Sequence, residues 1–236
     1  MEQYTDYEPE PGTLVVTEVR TQQRNAQRRA IFINGEFAIG VSEEMYVKYA
    51  LFKGRVVTPE LMEEVRREDE IFRCKQSAIR FLARRMRSIR EVEQKLAEKG
   101  FEPAAIAATV QFLAGYGMVD DREFAKSFVN DQLLRRPLGR RRLSAELRRK
   151  GLAKDEIEET LSETIGDQDE LSHALAAAAK KAPSIRHDDP RKWDRTMASF
   201  LAGRGFGWDV VEKVLNRYRE QRRTSGTSAD PEDEDS

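Results

Sequence analysis

The run RSIREVEQKLAEKGFEPAAIAATVQFL, Arg87–Leu113, decides the fold because its pattern returns twice. It comes back as LGRRRLSAELRRKGLAKDEIEETL at Leu138–Leu161 and as KWDRTMASFLAGRGFGWDVVEKVL at Lys192–Leu215. Put Gly100, Gly151 and Gly205 in register. Val92, Leu143 and Met197 then stand eight residues before them, and Leu96, Leu147 and Leu201 four before. Ile106, Ile157 and Val211 follow by six, and Val110, Leu161 and Leu215 by ten. Apolar residues four apart share one helical face. Each copy therefore reads as helix, glycine stop, helix, with the glycine in the left-handed position that closes a helix. The glycines lie 51 and 54 residues apart, a period that signals a stacked repeat.

The units extend upstream. Cys74, Ala78 and Leu82 precede Ser88 at the offsets by which Ala125, Val129 and Leu133 precede Gly139. Each unit gains a leading helix from this stripe. The third keeps one at Gln168–Lys181, joined to the rest through an irregular link containing Pro183 and Pro190. Asp120 and Glu123 form a candidate capping box for the second unit, and Pro103 suits the first turn of a helix in the first.

Ahead of the repeats the pattern changes. Leu14–Val19 is β-branched and reads as a strand. AIFI and FAIGV flank Asn34-Gly35, the strongest signal for a two-residue hairpin turn. Ser42 caps a helix expected to stop at Gly54, and Thr58-Pro59 opens another. The fold class expected is mainly α: a tandem array of three three-helix repeats preceded by a small three-stranded sheet with one or two helices. The expected domains are a disordered acidic lead (1–12), a hairpin and helix domain (13–68), repeats at 69–119, 120–167 and 168–223, and a disordered acidic tail (224–236).

Three further runs carry a resemblance: RRMRSIREVEQKLAEKGF at Arg84–Phe101, GYGMVDDREFAKSFV at Gly115–Val129, and PLGRRRLSAELRRKGL at Pro137–Leu152. Together and in this order they resemble the RecX family of bacterial recombination regulators, strongly over about 69–161 and weakly beyond. The resemblance implies a non-enzymatic protein that binds the RecA recombinase and its DNA filament. It implies regulation, mostly inhibition, of RecA's ATPase, strand exchange and coprotease action, and hence of DNA repair, homologous recombination and the SOS response.

Composition sets independent bounds. The chain has 236 residues, 35% of them charged, and a net charge of −1. That near-neutral total hides segregation. Arg80–Lys150 carries 17 Lys and Arg against nine Asp and Glu, while Met1–Glu10 has four acids and no base and Ser228–Ser236 five acids and no base. A basic middle between acidic ends suggests a polyanion or an acidic protein as partner. No apolar run approaches the roughly 20 residues that span a bilayer, and no signal peptide is apparent. A cytoplasmic monomer is expected.

One cysteine excludes an intrachain disulfide, and Cys74 reads as a small buried hydrophobe. With two histidines, His173 and His187, and no second cysteine, neither metal nor cofactor is expected. Asp120-Asp121 reads as helix capping, not as a catalytic carboxylate pair, and Gly115-Tyr116-Gly117 lacks the strand and lysine of a phosphate loop. Trp193 and Trp208 read as packing residues. No catalytic residues emerge. The candidate partner-binding set is Arg84, Arg85, Arg87 and Arg90 in the first repeat and Arg135, Arg136, Arg140, Arg141, Arg142, Arg148, Arg149 and Lys150 in the second, since guanidinium groups grip carboxylate and phosphate bidentately. Three readings stay open: a RecA filament modulator, a stand-alone nucleic-acid-binding protein adding Arg20, Arg24, Arg28 and Arg29, and a scaffold for another protein.

Overall fold

β-Branched and apolar residues build three strands, β1 (Leu14–Gln22), β2 (Asn25–Ile33) and β3 (Glu36–Ser42), in a computed structural model that describes residues 12–23, 25–186 and 189–227. Asn34 and Gly35 turn β2 into β3 with φ of 50° and 88°, the left-handed pair that a type I′ turn needs. The Asn34 side chain fastens the turn to β1, accepting from Val15 N at 2.9 Å and donating to Thr13 O at 3.0 Å. Ser42 caps α1 (Glu43–Lys48) by accepting from Met45 N. The helix stops well before Gly54, because Ala50 takes a left-handed φ of 46° that drops Leu51 fully into the core. Gly54 instead turns the chain towards β4 (Val56–Val57), a fourth strand that pairs with Leu14 and Val15. The sheet order is β3-β2-β1-β4. Two residues are too few for alternation to be visible in sequence.

Thr58 and Pro59 open α2 (Pro59–Leu82) as expected, Thr58 Oγ1 accepting from Leu61 N. The helix runs on through 68–69, so the leading helix of the first repeat and the last helix of the sheet region are one. Asp69, only 2% exposed, sits at its middle. Its carboxylate accepts from Ser42 N at 2.6 Å and pairs with Arg28 and Arg73, each at 3.1 Å. A buried carboxylate without partners would be costly; with three it stitches the sheet to α2.

The remaining helices are α3 (Ile89–Ala97), α4 (Pro103–Gly115), α5 (Asp121–Arg135), α6 (Arg140–Arg149), α7 (Lys154–Thr164), α8 (Asp167–Lys181), α9 (Pro190–Gly203) and α10 (Trp208–Thr227), with a 3-10 turn at Ala182–Ser184. The chain forms two compact units. One comprises the chain up to Met86 with Val92–Met118; the other comprises Arg87–Glu91 with the chain from Val119 onward. The sheet, α2, most of α3 and α4 thus make the first unit, and the second and third repeats the other.

Gly100, Gly151 and Gly205 have φ of 80°, 98° and 88°. The residue after each glycine donates to the carbonyl of the leucine four before that glycine: Phe101 N to Leu96 O, Leu152 N to Leu147 O, and Phe206 N to Leu201 O, at 3.3, 3.3 and 3.2 Å. This is the six-to-one bond of a Schellman stop. Each register leucine therefore serves twice, its side chain in the core and its carbonyl in the helix end. Val92, Leu143, Met197, Cys74, Ala78, Ala125 and Val129 are fully buried. Truncating one such leucine to alanine costs about 2–5 kcal/mol.

Two expectations need correction. Trp193 packs against Tyr218, with ring centroids 5.2 Å apart, but Trp208 opens α10 at 61% exposure and is no core residue. The acidic tail does not begin at Thr224: α10 continues to Thr227, and Thr224 Oγ1 bonds back to the carbonyls of Glu220 and Gln221. The rest of the tail, 228–236, and the lead up to residue 11 lie outside the described residues.

Candidate partner interface

The link that enters α6 is a built joint. Gly139, which precedes the helix, donates to Arg204 O at 3.0 Å, and Arg141 N donates to Gly205 O at 3.1 Å. A Cβ on Gly139 would overlap the backbone of Gly205 and Phe206. The start of the second repeat's middle helix is thus pressed on the glycine stop of the third. Arg140 N completes the joint by donating to Glu170 Oε1 at 3.0 Å.

The same joint occurs one repeat earlier, at the residues in the same register. Ser88 Oγ donates to Lys150 O at 2.7 Å, and Ile89 N donates to Asp121 Oδ1 at 2.8 Å. Ser88 and Glu91 cap α3 reciprocally: Ser88 N donates to Glu91 Oε2, and Glu91 N to Ser88 Oγ. Ser88-x-x-Glu91 is a capping-box signature that the sequence itself carries. Lys150 Nζ closes the network on Glu91 at 2.6 Å.

These joints sort the candidate arginines by role. Arg140 is structural: besides Glu170, its guanidinium caps the C-terminal carbonyls of α7 by donating to Ile165 O. Lys150 is structural through Glu91. Arg142 and Arg149 both approach Glu146, at 2.9 and 3.6 Å. Arg85 donates to Met86 O at 2.9 Å, and Arg87 is half-buried. Arg84, Arg90, Arg135, Arg136, Arg141 and Arg148 are exposed, with no ion-pair partner among the described residues. Arg84 and Arg85 belong to the first unit and the other ten to the second.

On α6 the sorting has a geometric cause. Leu143 and Leu147 face the core with no exposure. Arg141, Ala145 and Arg148 follow at four- and three-residue spacing on an outward stripe, and Arg142, Glu146 and Arg149 form the stripe beside it. Arg141 and Arg148 present free guanidinium forks across a small residue. At the mouth of this helix stand Arg135, the last residue of α5, and Arg136, its C-cap. Cationic forks without carboxylate partners bind phosphate or carboxylate from outside.

The sheet arginines behave differently. Arg20 is held by Glu18 and Arg28 by Asp69. Arg29 is gripped by both oxygens of Glu43, and this hydrogen bonding holds the Glu43 carboxyl below the ordinary glutamate range. Arg24 lies outside the described residues. Burial pushes the Cys74 thiol up. Among the described residues no three His, Cys, Asp or Glu side chains cluster as a metal site requires; His173 is half-buried and His187 lies outside them. No described helix is long and apolar enough to cross a membrane.

Comparison with known proteins follows this anatomy. Family models match at residues 14–58 (regulatory protein RecX N-terminal domain), 74–113 (RecX, first three-helix domain), 120–161 (second) and 167–215 (third). Regulatory protein RecX of Clostridium botulinum strain Eklund 17B is 31% identical over 202 residues, covering 85% of this chain and 94% of the relative. The chain belongs to the RecX family. Regulatory protein RecX of Clostridium tetani is likewise 31% identical, over 205 residues, 86% of this chain and 93% of that one. A crystal structure of regulatory protein RecX shares the fold with a TM-score of 0.70 at 20% identity, covering 86% of this chain and 99% of the other. RecX from Lactobacillus salivarius aligns with a TM-score of 0.60 at 22% identity, over 64% and 97%. This RecX-family chain is therefore, like its relatives, a regulatory protein built on helical repeats.

Proposed function

We propose that this RecX-family chain binds the RecA recombinase filament and its DNA, and lowers RecA's ATPase, strand-exchange and coprotease activities without a catalytic step of its own. Through RecA it would regulate DNA repair and the SOS response. Family membership supports the regulatory role. The observation that carries the binding mode is the Arg141 and Arg148 stripe on α6, without ion-pair partners among the described residues and held outward by a helix whose start is fixed at the Gly139 joint. Arg135, Arg136 and Arg90 are further exposed contacts in the same unit. Several weak contacts on linked repeats raise avidity without any one being strong.

The test is RecA's DNA-dependent ATP hydrolysis with the protein well below one copy per RecA. The wild type is expected to suppress it, and R141E/R148E to suppress it by at least ten-fold less while melting at the same temperature. No suppression by the wild type with its cognate RecA refutes the reading; full suppression by the folded double variant removes the stripe from it. The alternative is a stand-alone nucleic-acid-binding protein, since the same forks suit phosphate. It predicts DNA binding that falls steeply with salt whether or not RecA is present.

A further inference from the structure

The first unit holds a cleft of about 970 Å³. One face of α2 forms its floor, with Arg73, Gln76, Ser77 and Arg80 at helical spacing. The beginning of β2 forms one wall and Lys99 with Phe101, just past α3, the other. Its backbone and its charge together define what fits.

β2 outruns its neighbour. The ladder with β3 opens at Arg28 opposite Ser42, and Ser42 already caps α1, so Asn25, Ala26 and Gln27 have no partner in β3. On the other flank the ladder with β1 skips from Arg29 to Asn25, leaving Ala26 and Gln27 unmatched there too. All three residues are exposed. The Gln27 amide borrows the Asn25 side-chain oxygen at 3.1 Å, as a strand donor without a strand partner does. An open strand edge facing a cleft is a template for an extended chain.

The charge is set on the opposite side. Among the described residues Arg80 is exposed and has no ion pair, and the Lys99 ammonium donates to the Ser77 hydroxyl at 2.6 Å and forms no ion pair. The other lining cations are committed: Arg28 and Arg73 to Asp69, and Arg29 to Glu43. Glu43 and Glu44 line the α1 side and oppose a uniformly charged polyanion there. Phe72 and Phe101 are half-buried, and the Arg73 guanidinium stands 5.9 Å over the Phe101 ring. Single-strand nucleic-acid sites offer open aromatic faces for bases; in this cleft Phe72 packs against the sheet's core and the Arg73 guanidinium lies over the Phe101 ring.

We propose that the cleft docks an extended acidic segment of a partner protein, which adds as a short strand along Asn25–Gln27 and sets its carboxylates on Arg80 and Lys99. The site shares no residue with the α6 stripe, so it stands or falls separately from the filament reading. The experiment is fluorescence anisotropy on the full chain with a labelled peptide of alternating Glu and Val. The controls are the matching Gln and Val peptide and a dT oligomer of equal length.

The acidic peptide is expected to bind, and the Gln peptide to bind at least ten-fold more weakly. R80E is expected to weaken the acidic peptide about ten-fold or more, the loss of one charge-assisted contact. A26P leaves every charge in place but removes a backbone donor from the overhang, and is expected to weaken binding as well. R80Q/K99Q reads the charge term should R80E melt early. Binding unchanged in R80E and R80Q/K99Q overturns the proposal, and so does indifference to A26P. Displacement of the peptide by the dT oligomer at equal concentration overturns it in favour of a nucleic-acid site. Much tighter peptide binding by a chain ending at Thr227 would assign the cleft to the chain's own acidic end instead.

Discussion

Replacing Gly139 with alanine isolates the joint between the second and third repeats. Its φ is −84°, open to any residue, so alanine carries no conformational penalty. The whole cost is the methyl group meeting the Gly205 backbone. Backing away breaks Gly139 N to Arg204 O and Arg141 N to Gly205 O, about 1 kcal/mol each. It also loosens packing around Leu138 and Phe206, 7% and 1% exposed, for roughly another 1 kcal/mol. The expected loss is about 3 kcal/mol. Gly100→Ala is the comparison. Its φ of 80° requires the left-handed region, but a Cβ there meets nothing within 4 Å, so only the conformational cost of about 1 kcal/mol applies. Both tryptophans, Trp193 and Trp208, lie in the third repeat, so their fluorescence during urea unfolding follows the second unit. With a slope of about 1–2 kcal/mol per molar for a unit of this size, Gly139→Ala should lower that midpoint by about 2 M. Gly100→Ala should leave it almost unchanged and act on the remainder of the circular dichroism signal. A fluorescence midpoint moved by less than about 0.3 M in Gly139→Ala would refute the joint.

Arg140→Gln should destabilise the second unit by about 1–3 kcal/mol in the same urea assay, because it strips bonds from Ile165 O and Glu170; Arg141→Gln should change nothing. Cys74 is fully buried with its thiol pushed up by that burial, so a disulfide reagent should label it only as fast as the first unit opens, and at once in denaturant. Rapid native labelling would contradict the burial. Glu163 is held below 4.5 by hydrogen bonds from Lys126 and Arg122, and Glu43 by Arg29. Their stabilisation is fully present above the ordinary value of 4.5 and is lost as pH falls through the lower folded values. Glu163→Gln should therefore flatten the stability profile of the second unit on the acid side, read by tryptophan fluorescence, and a steeper profile would contradict the pairing.

The repeats were legible because two requirements coincide on one residue. Leu96, Leu147 and Leu201 recur both as core positions and as acceptors of the helix stop, so the pattern could not drift without losing one or the other. The Asn34-Gly35 hairpin was legible for a similar local reason, since few other pairs take two positive φ values. What sequence did not reveal depends on distant partners. Asp69 stands in the polar run RREDE, at the expected boundary between the sheet domain and the first repeat, yet Ser42, Arg28 and Arg73 bind its buried carboxylate. β4 is two residues long and exists because β1 offers an edge. α1 ended early because burying Leu51 outweighed the glycine signal further on.

The arginine cluster teaches most about how far residue type carries an argument. Arg140, Arg141 and Arg142 are consecutive and chemically identical, and the helix turns each towards a different neighbour. The Arg140 side chain caps α7 and that of Arg142 reaches Glu146, while the Arg141 guanidinium has no ion-pair partner among the described residues. Charge counting weights the three equally, whereas the structure leaves one free. In the sheet the same logic runs further, for Arg20, Arg28 and Arg29 are each matched to an acid. Reversing such a residue would break an internal pair as well as any external contact, and a loss of function could not be assigned. Arg141 and Arg148 escape that ambiguity, since neither side chain has an ion-pair partner among the described residues. A charge swap there changes only what the surface offers to a partner, which is why the filament reading is best tested on that stripe.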